Sequence, residues 1–195
     1  MAQSIPREGP RWPAETLPEQ PRTEATDHSR GAPAPVVTLI EYGDFECVYC
    51  GQAEPIVRPL LARFRNELRL VFRHFPLMEI HPHALSAAET SEAAAAMGGE
   101  PMFWRMHDIL FENQQRLGPP DLLDYARELG IDLAEFQHVM KGHGPYLRVR
   151  ADFQRGLRDG VKGTPTFFVN GREHAGSWEE PELGKAIASA IAEAR

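Results

Sequence analysis

The chain has 195 residues, a net charge of −7 and only two cysteines. This length suits one compact domain and leaves little for a second. The acidic balance argues against nonspecific nucleic-acid binding, because a surface that follows phosphates should be basic, and no segment is apolar for long enough to span a membrane.

Residues 1–34 contain repeated prolines among charged and small residues and show no apolar periodicity. Such a composition buries too little apolar surface to fold, so we predict a disordered, proline-rich tail. The segment also has no continuous apolar stretch of the kind that a secretory signal needs. If Met1 is the true start, we expect a cytoplasmic protein; a signal removed beforehand, or a different start site, would favour an extracytoplasmic one.

The apolar run at residues 36–42 predicts a buried β-strand that contains one acid, Glu41. A carboxyl group buried in a strand is costly unless it has a partner or a role. Beneath a pair of thiols, a Glu41 with a raised pKa could pass a proton to or from Cys50. The alternative is a glutamate on an edge strand that faces water.

After that strand, Cys47-Val48-Tyr49-Cys50 lies where a helical pattern begins. Cysteines at this spacing in the first turn of a helix can close a small disulfide, and the helix dipole stabilises the leading thiolate. We therefore expect Cys47 to be the nucleophile and Cys50 the resolving thiol. The alternatives are a zinc site, which lacks a second cysteine pair, a structural disulfide, which closes a very short loop, and two inert thiols.

A second strand is predicted over residues 68–75, and helices are predicted over residues 84–97, 103–114, 121–129, 133–140 and 146–157. The second of these helices carries an apolar stripe that consists of Phe103, Trp104, Met106, Leu110 and Phe111. We expect the stripe to be core, and a groove for extended polypeptide is the alternative.

The histidines do not have the spacing of a metal site. His107 and Asp108 are adjacent on a predicted helix, where neighbouring side chains point in different directions, so we expect His107 to pack locally with a satisfied hydrogen bond. His81 and His83 flank Pro82 and are expected to form the entry to the first of the central helices. We therefore predict no metal.

Near the C-terminus, residues 163–171 (GTPTFFVNG) predict a strand that follows a proline and ends in a tight turn. Asn170-Gly171 is a strong hairpin signal, and a proline that opens a strand removes no ladder hydrogen bond. A cis Thr164–Pro165 bond would leave the Thr164 backbone free to pair with an extended peptide, although the sequence leaves the isomer open.

Three segments in this order resemble the DsbA-like branch of the thioredoxin superfamily. They are residues 41–51 (EYGDFECVYCG), Phe103-Trp104 with His107-Asp108, and residues 160–168 (GVKGTPTFF). The resemblance covers about residues 27–195. It implies an α/β thioredoxin fold with an inserted helical subdomain, in which residues 35–80 and 160–195 form the core and residues 81–159 form the insertion.

The resemblance also implies roles for the site residues. Cys47 would react with clients, Cys50 would resolve the mixed disulfide, Glu41 would be the buried acid and Pro165 a cis-proline that faces the dithiol. The residues expected to contact substrate are Thr164, Pro165, Val48 and Tyr49.

The chain departs from DsbA between its cysteines, where DsbA has proline and histidine and this chain has Val48 and Tyr49. Tyrosine offers only a neutral hydroxyl donor to the thiolate. We therefore expect a reduction potential between those of thioredoxin and DsbA, roughly −250 to −150 mV.

The implied activity is thiol-disulfide exchange on protein cysteines through a mixed disulfide, with no metal or organic cofactor. The implied partners are client proteins with thiols or disulfides and an unknown redox-recycling partner, with no nucleic acid and no membrane span. One alternative is a peptide-binding or redox-sensing interaction module that keeps the same fold. Another is glutathione-dependent chemistry on small molecules.

Overall fold

A computed structural model of the protein describes residues 21–179 and 181–195. Within these residues the chain forms a five-stranded sheet in the order β1-β3-β2-β4-β5. The strands are β1 (His28–Gly31), β2 (Val37–Gly43), β3 (Leu68–His74), β4 (Thr166–Val169) and β5 (Arg172–Glu173). Helices pack on the sheet, and the predicted α/β class is confirmed.

The central strand of this sheet is β2, the apolar run predicted from the sequence. It pairs parallel with β3 and antiparallel with β4. Glu41 lies opposite Phe72 of β3 and Phe167 of β4, so it is not on an edge strand and the water-facing alternative is wrong. Side chains alternate along the strand, so Glu41 shares a face with Val37 and Leu39, which belong to the larger core.

The predicted hairpin at the C-terminal side is confirmed. β4 and β5 pair antiparallel and are joined by Asn170 and Gly171. Both residues have a positive φ, 48° and 80° respectively. This backbone twist suits a two-residue turn between right-handed strands, and it is the reason that Asn-Gly is favoured there.

The helices are α1 (Val48–Arg63), α2 (Ala84–Glu112), α3 (Pro119–Glu128), α4 (Leu133–Lys141), α5 (Gly144–Arg158) and α6 (Glu182–Glu193). The two helices predicted over residues 84–97 and 103–114 are joined into α2, which is kinked at Gly99, where φ is 67°. Helices α2 to α5 all lie between β3 and β4 in the chain. They therefore form an insertion at the place where the resemblance puts one.

The boundary of the predicted tail needs a correction. Residues 1–20 lie outside the described residues, but residues 28–31 form β1, which pairs antiparallel with β3. Hydrogen bonds and ion pairs hold this segment and the residue before it against the rest of the fold. Asp27 accepts hydrogen bonds from Nε and Nη2 of the buried Arg73 at 3.0 and 2.8 Å, and His28 Nε2 lies 3.1 Å from Glu92 Oε1.

The apolar stripe on α2 is core, as expected from the sequence. All five of its side chains are buried: Phe103, Trp104, Met106, Leu110 and Phe111. They belong to the same apolar cluster as Cys47 and Cys50. The insertion therefore shares one apolar core with the dithiol.

Candidate active site

The dithiol lies at the junction between β2 and α1. Cys47 is the N-cap of α1 and Cys50 lies in its first turn. The two cysteine side chains are buried, with 4% and 0% of their surface exposed, whereas Val48 and Tyr49 between them are 54% and 62% exposed. Both cysteines are free thiols in this structure. The exposed side chains of Val48 and Tyr49 thus border Cys47 at the surface.

The surroundings of Cys47 favour its thiolate. Its pKa is lowered to about 5, chiefly because the Cys50 thiol donates a hydrogen bond to it. Burial opposes this shift, while Thr164 and the backbone N–H groups of Tyr49 and Cys50 add to it. Backbone N–H groups at a helix N-terminus have no partner within the helix and point toward an anion there. Cys47 is therefore ionised at neutral pH.

Cys50 is held in the opposite state. Its burial raises its pKa well above the ordinary value, and its hydrogen bond to Cys47 and the nearby Glu41 raise it further. The backbone N–H of Asp44 lies 3.5 Å from Cys50 Sγ and favours the thiolate only slightly. One thiolate and one protonated thiol three residues apart are what a nucleophile and a resolving thiol require.

Glu41 is fully buried, and neither of its carboxylate oxygens has a hydrogen-bond partner within the described residues. Burial raises its pKa well above the ordinary value, and the neighbouring Glu54 carboxylate adds to the effect. A neutral carboxyl group here can give a proton to a neighbouring thiolate, and only its ionised form can take one back. Its influence on the pKa of Cys50 shows that the two groups are electrostatically coupled.

Thr164 and Pro165 face the dithiol from the loop before β4. The Cys47 Sγ lies 3.4 Å from the Thr164 carbonyl oxygen, and the Thr164–Pro165 peptide bond is cis. Both residues are half-buried. The fold thus brings together all seven residues that the sequence assigns to the site: Glu41, Cys47, Val48, Tyr49, Cys50, Thr164 and Pro165.

Sequence reasoning did not find the residues that hold the active-site loop. Asp44 is buried and accepts hydrogen bonds from the backbone N–H groups of Glu46 at 2.8 Å and Leu77 at 2.9 Å, and its other contact is with His81 Nδ1 at 2.7 Å. These bonds fix the turn before Cys47 to the segment that enters α2. Only the position of Asp44 three residues before Cys47 could have suggested this role.

Gln114 was also not found from the sequence. It follows the end of α2, and its Nε2 donates to the carbonyl oxygens of Phe45 at 2.9 Å and Cys47 at 2.8 Å. The insertion therefore supports the start of α1 directly. No local sequence signal links residues 67 or more positions apart, so this contact emerges only from the fold.

His107 and Asp108 do contact each other, contrary to the expectation that their side chains point apart. His107 Nδ1 lies 3.0 Å from Asp108 Oδ1. The imidazole is completely buried, and a buried polar group gains by finding a partner, even on the adjacent residue. The Nε2 of His107 has no hydrogen-bond partner within the described residues.

Among residues 21–179 and 181–195, two groups of potential metal ligands lie outside the dithiol: Glu54, His107 and Asp108; and His74, Glu92 and Asp152. Arginines already contact a carboxylate in each group. Arg30 lies 2.9 Å from Asp108, and Arg148 lies 2.5 Å from Asp152. Because these guanidinium groups compete for the same oxygens, neither group is a strong candidate metal centre.

Comparisons with known proteins agree with this geometry. A family model described as thioredoxin matches residues 23–189. Among solved structures, the chain is similar to a thioredoxin-like oxidoreductase from Silicibacter pomeroyi DSS-3, at 27% identity and a TM-score of 0.74 over 86% of this chain and 93% of that one. It also shares its fold with oxidised BdbD from Bacillus subtilis, at 20% identity and a TM-score of 0.76 over 85% of this chain and 93% of that one.

The curated relatives are named as Na(+)/H(+) antiporters rather than as oxidoreductases. The chain is 48% identical over 169 residues to Na(+)/H(+) antiporter NhaA 1 of Salinispora arenicola (strain CNS-205), a match that covers 87% of this chain and 25% of that protein. It is 41% identical over 174 residues to Na(+)/H(+) antiporter NhaA of Herminiimonas arsenicoxydans, covering 87% and 27%. The chain spans about a quarter of the length of these relatives. Within residues 21–179 and 181–195, no helix is long and apolar enough to cross a membrane.

Proposed function

We propose that this chain, which belongs to the thioredoxin family, is a DsbA-like enzyme that exchanges thiols and disulfides on client proteins through Cys47 and Cys50. The observation that carries the proposal is the opposite protonation of the two thiols in one helical turn. The pKa of Cys47 is lowered to about 5, while that of Cys50 is raised. A structural pair has no need of this difference.

In the oxidising direction, the enzyme begins with a Cys47–Cys50 disulfide. A client thiolate attacks the Cys47 sulfur, the Cys47–Cys50 bond breaks, and Cys50 leaves as a thiolate that takes up a proton, for which Glu41 is the nearby donor. A second client thiolate then attacks the client sulfur of the mixed disulfide. This step releases the oxidised client and leaves Cys47 as a thiolate, so two electrons pass from the client to the enzyme.

In the reducing direction the same groups act in reverse. The Cys47 thiolate attacks a client disulfide, forms a mixed disulfide and releases one client thiolate. Cys50 must then lose its proton, which Glu41 is placed to accept once ionised. The Cys50 thiolate attacks the Cys47 sulfur, breaks the mixed disulfide, releases the second client thiolate and closes the Cys47–Cys50 disulfide. The high pKa of the resolving thiol makes this proton transfer the step that depends most on Glu41.

The client-binding surface that we propose surrounds Cys47. The exposed Val48 and Tyr49 offer apolar and aromatic contacts to a client segment. The backbone beside the cis Thr164–Pro165 bond also borders the Cys47 sulfur, with the Thr164 carbonyl oxygen 3.4 Å from it. An extended peptide that pairs with this backbone would hold its own cysteine over Cys47.

A client trap tests the proposal. In Cys50→Ala, Cys47 remains but no resolving thiol is present, so a peptide that contains one disulfide should accumulate as a mixed disulfide on Cys47. Cys47→Ser is the matched control and should form none. The competing outcome is an interaction module: if the variant with both cysteines changed to serine binds the same clients as the wild type and Cys50→Ala traps none, the exchange proposal is overturned.

Location and recycling partner are separate proposals. A cytoplasmic location stays a prediction, to be measured by fractionation of cells that express the protein from its natural gene. The antiporter names of the curated relatives add a membrane transporter as a proposed partner class. Mixed disulfides of Cys50→Ala with a membrane protein would support this partner class, and trapped species confined to other proteins would contradict it.

A further inference from the structure

Helix α5 presents apolar side chains to solvent. Tyr146, Leu147 and Leu157 are exposed, and each of the two leucines has 56% of its surface accessible. Residues three, four and seven positions apart share one face of a helix, and the neighbours of these three residues on that face are exposed as well. We call this surface the α5 outer face, and it consists of Tyr146, Leu147, Arg150, Ala151, Gln154, Leu157 and Arg158.

The arginines of α5 are divided between its two sides. Arg148 and Arg155 turn inward, and their Nη1 atoms lie 2.5 and 3.4 Å from Oδ1 of the buried Asp152. Arg150 and Arg158 are exposed on the outer face, and neither forms an ion pair within the part of the chain that the structure describes. Two positive charges on this face are therefore available to an anion of another molecule.

Two acids beside this face already have partners. Asp159 follows Arg158, and its Oδ2 accepts a hydrogen bond from the Tyr42 hydroxyl at 2.5 Å. Glu24 contacts the inward-facing Arg155. The outer face itself contains no acid, whereas the chain as a whole has a net charge of −7. An anionic surface can therefore approach α5, although the net charge of the chain repels it.

The grouping of the apolar side chains distinguishes this face from ordinary surface, because exposed apolar residues are common when they occur singly. Outside α5, the large apolar side chains that are exposed among the described residues are Val36, Val48, Tyr49, Met78 and Ile80. On α5, three such side chains share one helix face with two arginines over a length of about 18 Å. Leucine and tyrosine beside arginine is the combination with which helices lie on anionic membrane surfaces.

We propose that the α5 outer face docks on anionic membrane lipids. Arg150 and Arg158 contact lipid phosphates through their guanidinium groups, and Tyr146, Leu147 and Leu157 enter the boundary between headgroups and acyl chains. A single helix face is convex, which suits a membrane surface better than a bound peptide, because a peptide needs a groove or a strand edge. Docking agrees with a partner in the membrane but does not depend on the exchange function.

Binding to vesicles tests this proposal. The full chain is mixed with vesicles of phosphatidylcholine alone, or of equal parts phosphatidylcholine and phosphatidylglycerol, in about 0.1 M salt, where charges act over about 10 Å. The wild type should bind the anionic vesicles about tenfold more tightly than the neutral ones or better, and added salt should weaken this binding. Arg150→Gln/Arg158→Gln and Leu147→Ser/Leu157→Ser should each weaken it by about tenfold, because each removes one part of the contact.

Matched variants change the same kinds of side chain elsewhere on the surface. Arg65→Gln/Arg105→Gln removes two exposed arginines, and Met78→Ser/Ile80→Ser removes two exposed apolar side chains. Each should change the binding by less than about threefold, because these side chains lie outside the α5 outer face. If the leucine variant does not fold, the arginine pair and its control decide the test.

Three results would overturn the proposal. The first is a wild type that shows no preference for anionic vesicles. The second is an equal loss of binding in the α5 variants and in their matched controls. The third is a loss of mixed-disulfide partners from the α5 variants without any vesicle binding by the wild type, which would identify a protein interface instead.

Vesicle binding requires no thiol, so this proposal and the exchange function can fail separately. Cys47→Ser/Cys50→Ala should bind anionic vesicles as tightly as the wild type does. Binding by a protein that traps no client would overturn the exchange function alone. An active enzyme that does not distinguish the two kinds of vesicle would overturn the membrane-docking face alone.

Discussion

Removal of the Cys50 thiol should raise the pKa of Cys47. The hydrogen bond from Cys50 is the largest cause of the low value, which is about 5 against an ordinary 9.0. At pH 7, a pKa of about 5 gives about 100 thiolates for each thiol, whereas the ordinary value gives about one thiolate for each 100 thiols. In Cys50→Ala, the backbone N–H groups and Thr164 remain, so the pKa of Cys47 should lie between these two limits.

Thiolate absorbance near 240 nm measures this pKa in the reduced protein, with Cys47→Ser/Cys50→Ala as the blank. The wild type should show its first inflection near pH 5, and Cys50→Ala should show a single inflection at clearly higher pH. The rate of alkylation by iodoacetamide should follow the same curves, because the thiolate is the reacting species. Equal inflections in the wild type and Cys50→Ala, or a wild-type inflection near pH 9, would refute the assigned hydrogen bond as the cause.

Three further predictions concern stability. Between about pH 5 and 9, the reduced wild type should become more stable relative to Cys47→Ser as the pH rises. In this window Cys47 is ionised in the folded protein but holds its proton in the unfolded chain, so this stability is lost as the pH falls through 5. Glu41→Leu should stabilise the protein, and its gain should grow by about 1.4 kcal/mol per pH unit above the ordinary pKa of 4.5, until the folded Glu41 ionises. Gln114→Ala should cost about 1–3 kcal/mol, because the Phe45 carbonyl oxygen loses its donor and the Cys47 carbonyl oxygen keeps only its bond from the Gly51 N–H.

Urea unfolding of the reduced proteins at several pH values checks all three predictions. A difference between the wild type and Cys47→Ser that does not vary with pH would contradict the first. For Glu41→Leu, a gain that is the same at pH 4 and pH 8 would show that Glu41 has no raised pKa. Gln115→Ala is the neighbouring exposed control for Gln114→Ala, and equal costs in the two variants would remove the special role of Gln114.

The chemistry of the site could be predicted from the sequence because it depends on short patterns. Cys47 and Cys50 are recognisable as a redox pair from their spacing and from their place between a strand and a helix. Glu41 stands out because it is the one acid in an apolar strand. Asn170-Gly171 predicts a hairpin turn because both residues readily adopt a positive φ. In each case the residue type and its immediate neighbours contain the physical information.

The supporting residues could not be predicted because their roles depend on contacts between distant parts of the chain. β1 has no apolar alternation, and it becomes a strand because the edge of β3 offers it hydrogen bonds and because Asp27 meets the buried Arg73. Asp44 and Leu77 are 33 positions apart, and Gln114 lies 67 positions from Cys47. No local pattern distinguishes such residues from ordinary surface polar residues.

The equilibrium of Cys47 and Cys50 with glutathione buffers tests the central claim most directly, with Cys47→Ser as the blank. We predict that the two thiols form one intramolecular disulfide with a reduction potential between the values of thioredoxin and DsbA, roughly −250 to −150 mV. Failure to form that disulfide under oxidising buffers would contradict the exchange mechanism.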